Sequence, residues 1–243
     1  MYHQPSAVIR AGAKSAVEAI LPGGPATLAG IFVGQPVERL DCGAALFWQG
    51  DTAHDLFEIV SGALRTVRVL SDGRRVITGF LFPGDVVGVS LKDRYPASVE
   101  AIAPTEVRRL ARHRFEAVIE RRPSLRPQLI ERLCDEMTAA QEQVVLLARK
   151  SAEERVASFL LALARRGGDE PRAGQRLYLP MTRLDMADYL GLTIETVSRI
   201  MTRLAARAII ANEGRHIVIK RPATLAEIAM DDDDNDLVGM LTN

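Results

Sequence analysis

The chain has 243 residues, 31 Lys and Arg balanced by 31 Asp and Glu, and 47% hydrophobic side chains, so it is long enough for two domains, apolar enough to fill their cores, and not compositionally disordered. No run approaches the roughly eighteen uninterrupted apolar residues of a membrane span, and Lys14 and Glu18 interrupt the apolar centre that a signal peptide would need, so a cytoplasmic protein without a membrane partner is expected. The two cysteines, Cys42 and Cys134, and the four histidines, His3, His54, His113 and His216, form no Cys-x-x-Cys pair and no metal-spaced cluster, which argues against a disulfide framework and against a metal site.

Residues 1–30 carry Gly, Pro and Ala without a firm period and read as an N-terminal arm or a short helix. Over residues 37–110 short apolar runs alternate with turn signals. Ser71-Asp72-Gly73 lies between two β-rich runs and reads as a hairpin turn. Gly50-Asp51, Ser61-Gly62 and Pro83-Gly84-Asp85 punctuate the rest, and two last strands are expected around Pro104. The in–out alternation at Leu64, Val67 and Val69 is imperfect, since Arg65 and Arg68 interleave with them. Many short strands at this spacing predict an antiparallel β-roll of the jelly-roll kind over residues 31–122.

From Ala111 the period becomes helical. One short helix is stopped by Pro123, and Pro127 suits the first turn of a long helix over residues 123–151. Ile130, Leu133, Met137, Ala140, Val144, Leu147 and Ser151 fall at alternating steps of three and four, the heptad seam of paired helices, and point to a homodimer. A second apolar line, Leu129, Val145 and Ala148, has the spacing to face the β-roll. The alternative is a long helix lying on its own domain. Cys134 sits beside Leu133, and a packed, inert thiol is expected there.

A further helix over SAEERVASFLLALARR ends at Gly167-Gly168, and LYLP reads as a short strand. Thr182 followed by Asp185 resembles a capping box opening a helix that buries Leu184, Ala187 and Leu190. Gly191 allows a left-handed turn, and Thr193 caps a second helix with core residues Val197, Ile200, Met201 and Leu204. Two short helices joined by a Gly-containing turn, followed by a β-hairpin, make a winged helix-turn-helix over residues 152–225, with an acidic, disordered tail over 226–243. The overall class is α+β: β-roll, long helix, winged helix-turn-helix.

Residues 149–222 hold 14 Lys and Arg against 8 Asp and Glu, while residues 223–243 hold 6 acids and no base. A basic segment on a helix-turn-helix points to double-stranded DNA. Such a module lays its second helix in the major groove, first turns against the base edges. Glu195, Ser198 and Arg199 share one face at spacing i, i+3, i+4 in those turns. The Arg fork matches O6 and N7 of guanine, a Glu accepts from the cytosine amino group, and a Ser serves either pair. An i, i+4 pair of Glu195 with Arg199 would hold both extended before DNA arrives. Thr182, Thr193, Thr196, Arg203 and Arg215 are weaker candidates for phosphate contacts, which fix register rather than sequence. No nucleophile–base motif or Gly-rich phosphate loop points to an enzyme.

DMADYLGLTIETVSRIMTRL resembles the recognition segment of the CRP/FNR superfamily of bacterial transcription regulators, and the order of β-roll, long helix and winged helix-turn-helix is similar over roughly residues 30–225. Glu195, Ser198 and Arg199 resemble the FNR/FixK branch, whereas the cyclic-AMP branch carries Gly where this chain has Ser198. The resemblance implies a homodimer on a palindrome close to TTGAT-N4-ATCAA, with Arg199 on the G of each half-site, Glu195 on the opposing C and Ser198 on a neighbouring thymine. It also implies recruitment of RNA polymerase, more often activating than repressing, with exposed turns such as residues 72–75 as contact points. No cofactor is expected. Residues 1–35 contain no cysteine, and two cysteines cannot supply the four thiolates of an iron–sulfur cluster. The cyclic-AMP cassette has Glu where this chain has Asp85, and Arg94 is followed by Tyr95 rather than by a hydroxyl residue of the Ser/Thr type. His54 and His113 are the residues a haem sensor would draw on. The alternative function is an effector-gated regulator holding a cyclic nucleotide or other small ligand in the β-roll.

Overall fold

Short runs rich in β-branched and aromatic residues, cut by glycine turns, build eight strands: β1 Val37–Leu40, β2 Ala45–Phe47, β3 Asp55–Ser61, β4 Leu64–Val69, β5 Arg75–Leu81, β6 Val86–Val87, β7 Ser98–Ala101 and β8 Thr105–Ala111. The computed structural model describes residues 27–89, 93–167 and 170–230. The expectations for the arm up to residue 26 and for the tail from residue 231 lie outside the described residues. The strands form two four-stranded antiparallel sheets, ordered β1-β8-β3-β6 and β2-β7-β4-β5. Phe47, Phe57, Ile59, Leu64, Tyr95, Val99 and Val107 fill the space between them, as expected of a jelly roll.

The hairpin at Ser71-Asp72-Gly73 joins β4 to β5, with Gly73 at φ 83°. The broken alternation on β4 has a local cause. The register against β5 shifts between Thr66 and Val67, where Thr78 of β5 is the extra residue, and Val67 is buried one step out of the alternation that starts at Leu64. On β7, Val99 and Ala101 face the core, and the buried Glu100 lies on the other side. Its carboxylate accepts from Arg65 at 2.7 Å and Arg75 at 2.6 Å, which is how a buried charge is tolerated.

A second apolar cluster, Ile31, Phe32, Leu56, Leu110, Phe115 and Leu125, covers the outer side of β3 and β8 with helix α1, Arg112–Arg121, and a tight turn at Pro123–Leu125. Helix α2 runs from Arg126 to Arg149. Leu129 packs against this cluster, whereas Val145 and Ala148 are exposed. The reading of Ser151 needs correction. The helix ends two residues earlier, and Ser151 instead caps the next helix in a complete capping box with Glu154. The chain divides into two compact units, the border falling inside α2 between Cys134 and Asp135.

The second unit contains α3 Ala152–Ala164, β9 Arg176–Tyr178, α4 Arg183–Leu190, α5 Ile194–Ala206, the hairpin β10 Ile210–Glu213 and β11 His216–Ile219, and α6 Pro222–Met230. The hairpin and β9 form one antiparallel sheet ordered β10-β11-β9. Val156, Leu160, Met186, Leu190, Val197, Met201, Leu204, Ile217 and Ile219 are buried. Two expectations need correction. Residues 226–230 are not tail but the end of α6: Pro222 opens it, and Leu225 and Ala229, four apart, are buried. Leu184 is 55% exposed rather than buried. It precedes Met186 by two positions, so the face that buries Met186 and Leu190 turns Leu184 outward. Among the described residues, no helix is long and apolar enough to cross a membrane.

Candidate nucleic-acid interface

The turn between α4 and α5 is built as its residues dictate. Thr182 and Asp185 close a capping box at the start of α4. Gly191 adopts φ 62°, ψ 39°, and the Leu192 N–H donates back to Ala187 O at 2.9 Å, closing the helix in a left-handed cap. Thr193 then caps α5, its hydroxyl accepting the Thr196 N–H at 3.2 Å. Val197, Ile200, Met201 and Leu204 are buried along one side of α5. At 3.6 residues per turn this leaves Glu195, Ser198, Arg199 and Thr202 on the opposite side, and all four are exposed.

The three side chains singled out for base reading therefore share one open face. Glu195 has no ion pair or hydrogen bond among the described residues, and neither has the Ser198 hydroxyl. The expected Glu195–Arg199 pair is not formed. Arg199 Nη2 instead donates to Thr196 Oγ1 at 3.4 Å, one turn back. An exposed i, i+4 ion pair contributes only about 0.3–0.5 kcal/mol, so a nearer hydroxyl is enough to redirect the guanidinium.

The phosphate candidates separate. Arg215, on the turn of the β10–β11 hairpin, has an exposed side chain with no partner among the described residues. Thr193 and Thr196 lie hydroxyl to hydroxyl at 3.0 Å beside Arg199. Thr182 is already committed: its hydroxyl accepts the Asp185 N–H at 3.1 Å and donates to Asp185 Oδ2 at 2.7 Å. It has no proton left for a phosphate unless the capping box opens. Arg203 is committed too, paired at 2.7 Å with Glu153 of α3, whose other oxygen takes Arg207 at 3.2 Å.

One candidate was missed. Arg183, the first residue of α4, is half-buried, its only side-chain hydrogen bond among the described residues running to Met186 Sδ at 3.3 Å. Burial pulls its pKa below the usual arginine range. A desolvated guanidinium without a carboxylate is stabilised by an incoming anion. Its position at the opening of the first helix was the available signal.

In the first unit, Asp85 is buried, with Oδ2 accepting the Phe82 N–H at 2.8 Å and Oδ1 facing Arg132 at 3.4 Å. Arg94 donates to Gly50 O at 2.6 Å, and the Tyr95 ring stacks on Phe47 inside the core. His54 and His113 line one surface depression with Thr52, Ala53, Asp93, Arg112 and Glu116. Among the described residues no three His, Cys, Asp or Glu side chains converge as metal ligands. Cys42 and Cys134 are both exposed in the single chain, in which α2 buries no residue. On that helix Ile130, Leu133, Met137, Val144 and Leu147 are all exposed, Val144 to 66%, and so is Ala140.

The chain matches the family model of the Crp-like helix-turn-helix domain over residues 154–228 and that of the cyclic nucleotide-binding domain over residues 37–122. It is 39% identical over 187 residues to the nitrogen fixation regulation protein FixK of Bradyrhizobium diazoefficiens, covering 77% of this chain and 79% of that one. It is 36% identical to the transcriptional activator protein FnrA of Stutzerimonas stutzeri, covering 81% and 80% respectively. Among solved structures it is similar to FixK2 from Bradyrhizobium japonicum, with 34% identity, a TM-score of 0.75, and coverage of 81% of this chain and 98% of that one.

Proposed function

We propose, for a chain that belongs to the CRP/FNR superfamily of bacterial transcription regulators and to its FNR/FixK branch, that it reads a palindrome close to TTGAT-N4-ATCAA as a cytoplasmic homodimer. That it is a DNA-binding transcription regulator and not an enzyme follows from the family. The observation that carries the finer reading is the open face of α5, where Glu195, Ser198 and Arg199 stand exposed opposite the buried Val197, Ile200, Met201 and Leu204. With that face in the major groove, Arg199 leaves Thr196 and grips guanine O6 and N7 with its fork, Glu195 accepts from the opposing cytosine amino group, and Ser198 meets a neighbouring thymine. Arg183 and Arg215 flank the face as phosphate contacts, with Arg203 joining when Glu153 releases it.

Two half-sites need two reading heads. The apolar line of α2 from Ile130 to Leu147 is exposed in the single chain, and pairing with a second copy removes it from water. Polymerase recruitment is assigned to the first unit, with the exposed β4–β5 turn as the contact. No cofactor enters this reading. The polar groups where a nucleotide phosphate would sit do not fit it: the buried Asp85 is negative and held by Arg132, and Arg94 is turned to the Gly50 carbonyl. The test is an electrophoretic mobility shift with a TTGAT-N4-ATCAA duplex and a scrambled duplex of equal length. Retardation of the first at concentrations that leave the second unbound is expected, and equal affinity for both would refute the sequence reading.

A further inference from the structure

The end of α2, the start of α3 and the turn before the reading helix converge on one side chain. Arg155 lies in the first turns of α3. Its Nε donates to Lys150 O at 2.9 Å, Nη2 to Leu147 O at 3.0 Å, and Nη1 to Leu190 O at 3.0 Å with a longer contact to Gly191 O at 3.5 Å. Leu147 O and Lys150 O stand at the C-terminal exit of α2, and Leu190 O at the last residue of α4. Helix ends leave such carbonyls without intrahelical partners and favour a cation beside them. One guanidinium therefore caps two helices and ties them together.

Neighbouring contacts repeat the tie. Gln143 Nε2 donates to Tyr189 O at 2.9 Å. A Cβ placed on Gly191 would lie 3.3 Å from Leu147 and 3.4 Å from Arg155, so the turn sits directly against both. Arg155 is not diverted by the acids beside it in sequence. Glu154 is spent in the capping box of α3 and Glu153 on Arg203 and Arg207. Lysine cannot replace this arrangement, because one ammonium does not span carbonyls that a planar five-donor fork reaches together.

We propose that Arg155 is the positioning residue that fixes the angle of the reading helix against the last turns of α2, and thereby sets the half-site spacing the dimer accepts. This rests on the palindrome and dimer reading above. The cap of α5, Thr193, follows Gly191 by two residues, so any rotation of the turn about the end of α2 carries Glu195, Ser198 and Arg199 with it. Adding one base pair to the spacer moves the second half-site by about 3.4 Å and turns it by about 34°. Heads locked to α2 cannot follow that displacement, and heads released from it can.

The experiment uses the full chain with duplexes carrying the same half-sites and a spacer one base pair shorter than, equal to or one longer than N4. Wild type is expected to favour one spacer by about tenfold or more. Arg155→Gln is expected to bring all three within about threefold, leaving unchanged the penalty for a base substitution inside a half-site. Arg155→Lys keeps the charge, loses the fork and is expected to show the same flattened profile. Wild-type spacer selectivity in the variants overturns the proposal. A second readout does not depend on the operator. Nitroxides at Val145→Cys and Thr202→Cys, in a Cys42→Ser, Cys134→Ser background diluted with unlabelled chain, report the α2–α5 distance. A narrow distribution that broadens in Arg155→Lys or Arg155→Gln is expected, and an unchanged width overturns the positioning role. If wild type has no spacer or operator preference, the palindrome reading fails, and the width still judges Arg155 by itself.

Discussion

Replacing Glu153 by Gln is expected to weaken the fold and strengthen DNA binding at once. The Glu153 carboxylate divides its oxygens between Arg203 at 2.7 Å and Arg207 at 3.2 Å, with its side chain 24% exposed and both arginine side chains 50% exposed. Such half-exposed pairs are screened, and about 0.5 kcal/mol each is a fair discount. Glu153 also stands in the first turn of α3, where a negative charge adds about 0.3–1 kcal/mol from the helix dipole. The loss on substitution is therefore roughly 1–2 kcal/mol, a drop of a few degrees in Tm. On DNA the same change frees two guanidiniums. Each one that reaches a phosphate adds about 0.9 to the slope of log affinity against log salt, so the slope steepens by about 1–2. Fluorescence anisotropy on a scrambled duplex across a salt series, paired with thermal unfolding, reads both effects. An unchanged slope would mean that freeing Arg203 and Arg207 from Glu153 adds no phosphate contact, and an unchanged Tm would mean that the Glu153 clamp contributes nothing.

Val144→Asp places a charge at the most exposed apolar position of the α2 line and is expected to shift sedimentation from dimer to monomer and abolish operator binding; an intact dimer would remove the pairing role of that line. Ala208 holds φ 53° just past the end of α5, a conformation costing a non-glycine residue about 1–2 kcal/mol, against about 0.4–1 kcal/mol of added unfolded-state freedom for glycine. Ala208→Gly should therefore raise stability by about 0.5–1 kcal/mol in thermal unfolding, and a lower Tm would contradict this. Burial, with the charge of Glu142 adding to it, pushes the Tyr189 phenol from an ordinary 10.0 up to about 12. The folded chain then holds this proton more tightly than the unfolded chain. That stability is complete below about pH 10 and is lost as pH rises toward 12, amounting to about 2–3 kcal/mol. In urea unfolding from pH 8 to 12, Tyr189→Phe should lack this alkaline decline, and an identical decline in both proteins would refute the assignment.

What was legible in the sequence was local. Ser71-Asp72-Gly73 marks a hairpin because only certain residues accept its backbone angles, and Gly191 marks the turn for the same reason. The four buried positions of α5 follow from helical period alone, and with them the exposure of Glu195, Ser198 and Arg199. What was not legible depended on which of several neighbours a side chain meets. Leu184 has the composition of a core residue, but its phase on α4 faces away. Ser151 continues the heptad count, yet a capping box with Glu154 ends the count two residues earlier. Val145 and Ala148 have the right spacing for a packed line with nothing of their own unit to pack on. Thr182 and Arg203 look like phosphate ligands until the partners that already hold them, Asp185 and Glu153, are seen. Arg155 carries no motif at all, since its four acceptors are backbone carbonyls, two just before it at the end of α2 and two some 35 residues on in the turn after α4.

The most direct measurement compares wild type and Arg199→Ala on TTGAT-N4-ATCAA and on the same duplex with each half-site guanine replaced. Wild type should lose about 1–3 kcal/mol of binding per replaced guanine, and Arg199→Ala should bind both duplexes alike. If Arg199→Ala instead weakens every duplex by the same factor and keeps the preference for guanine, the open face of α5 does not read bases through Arg199.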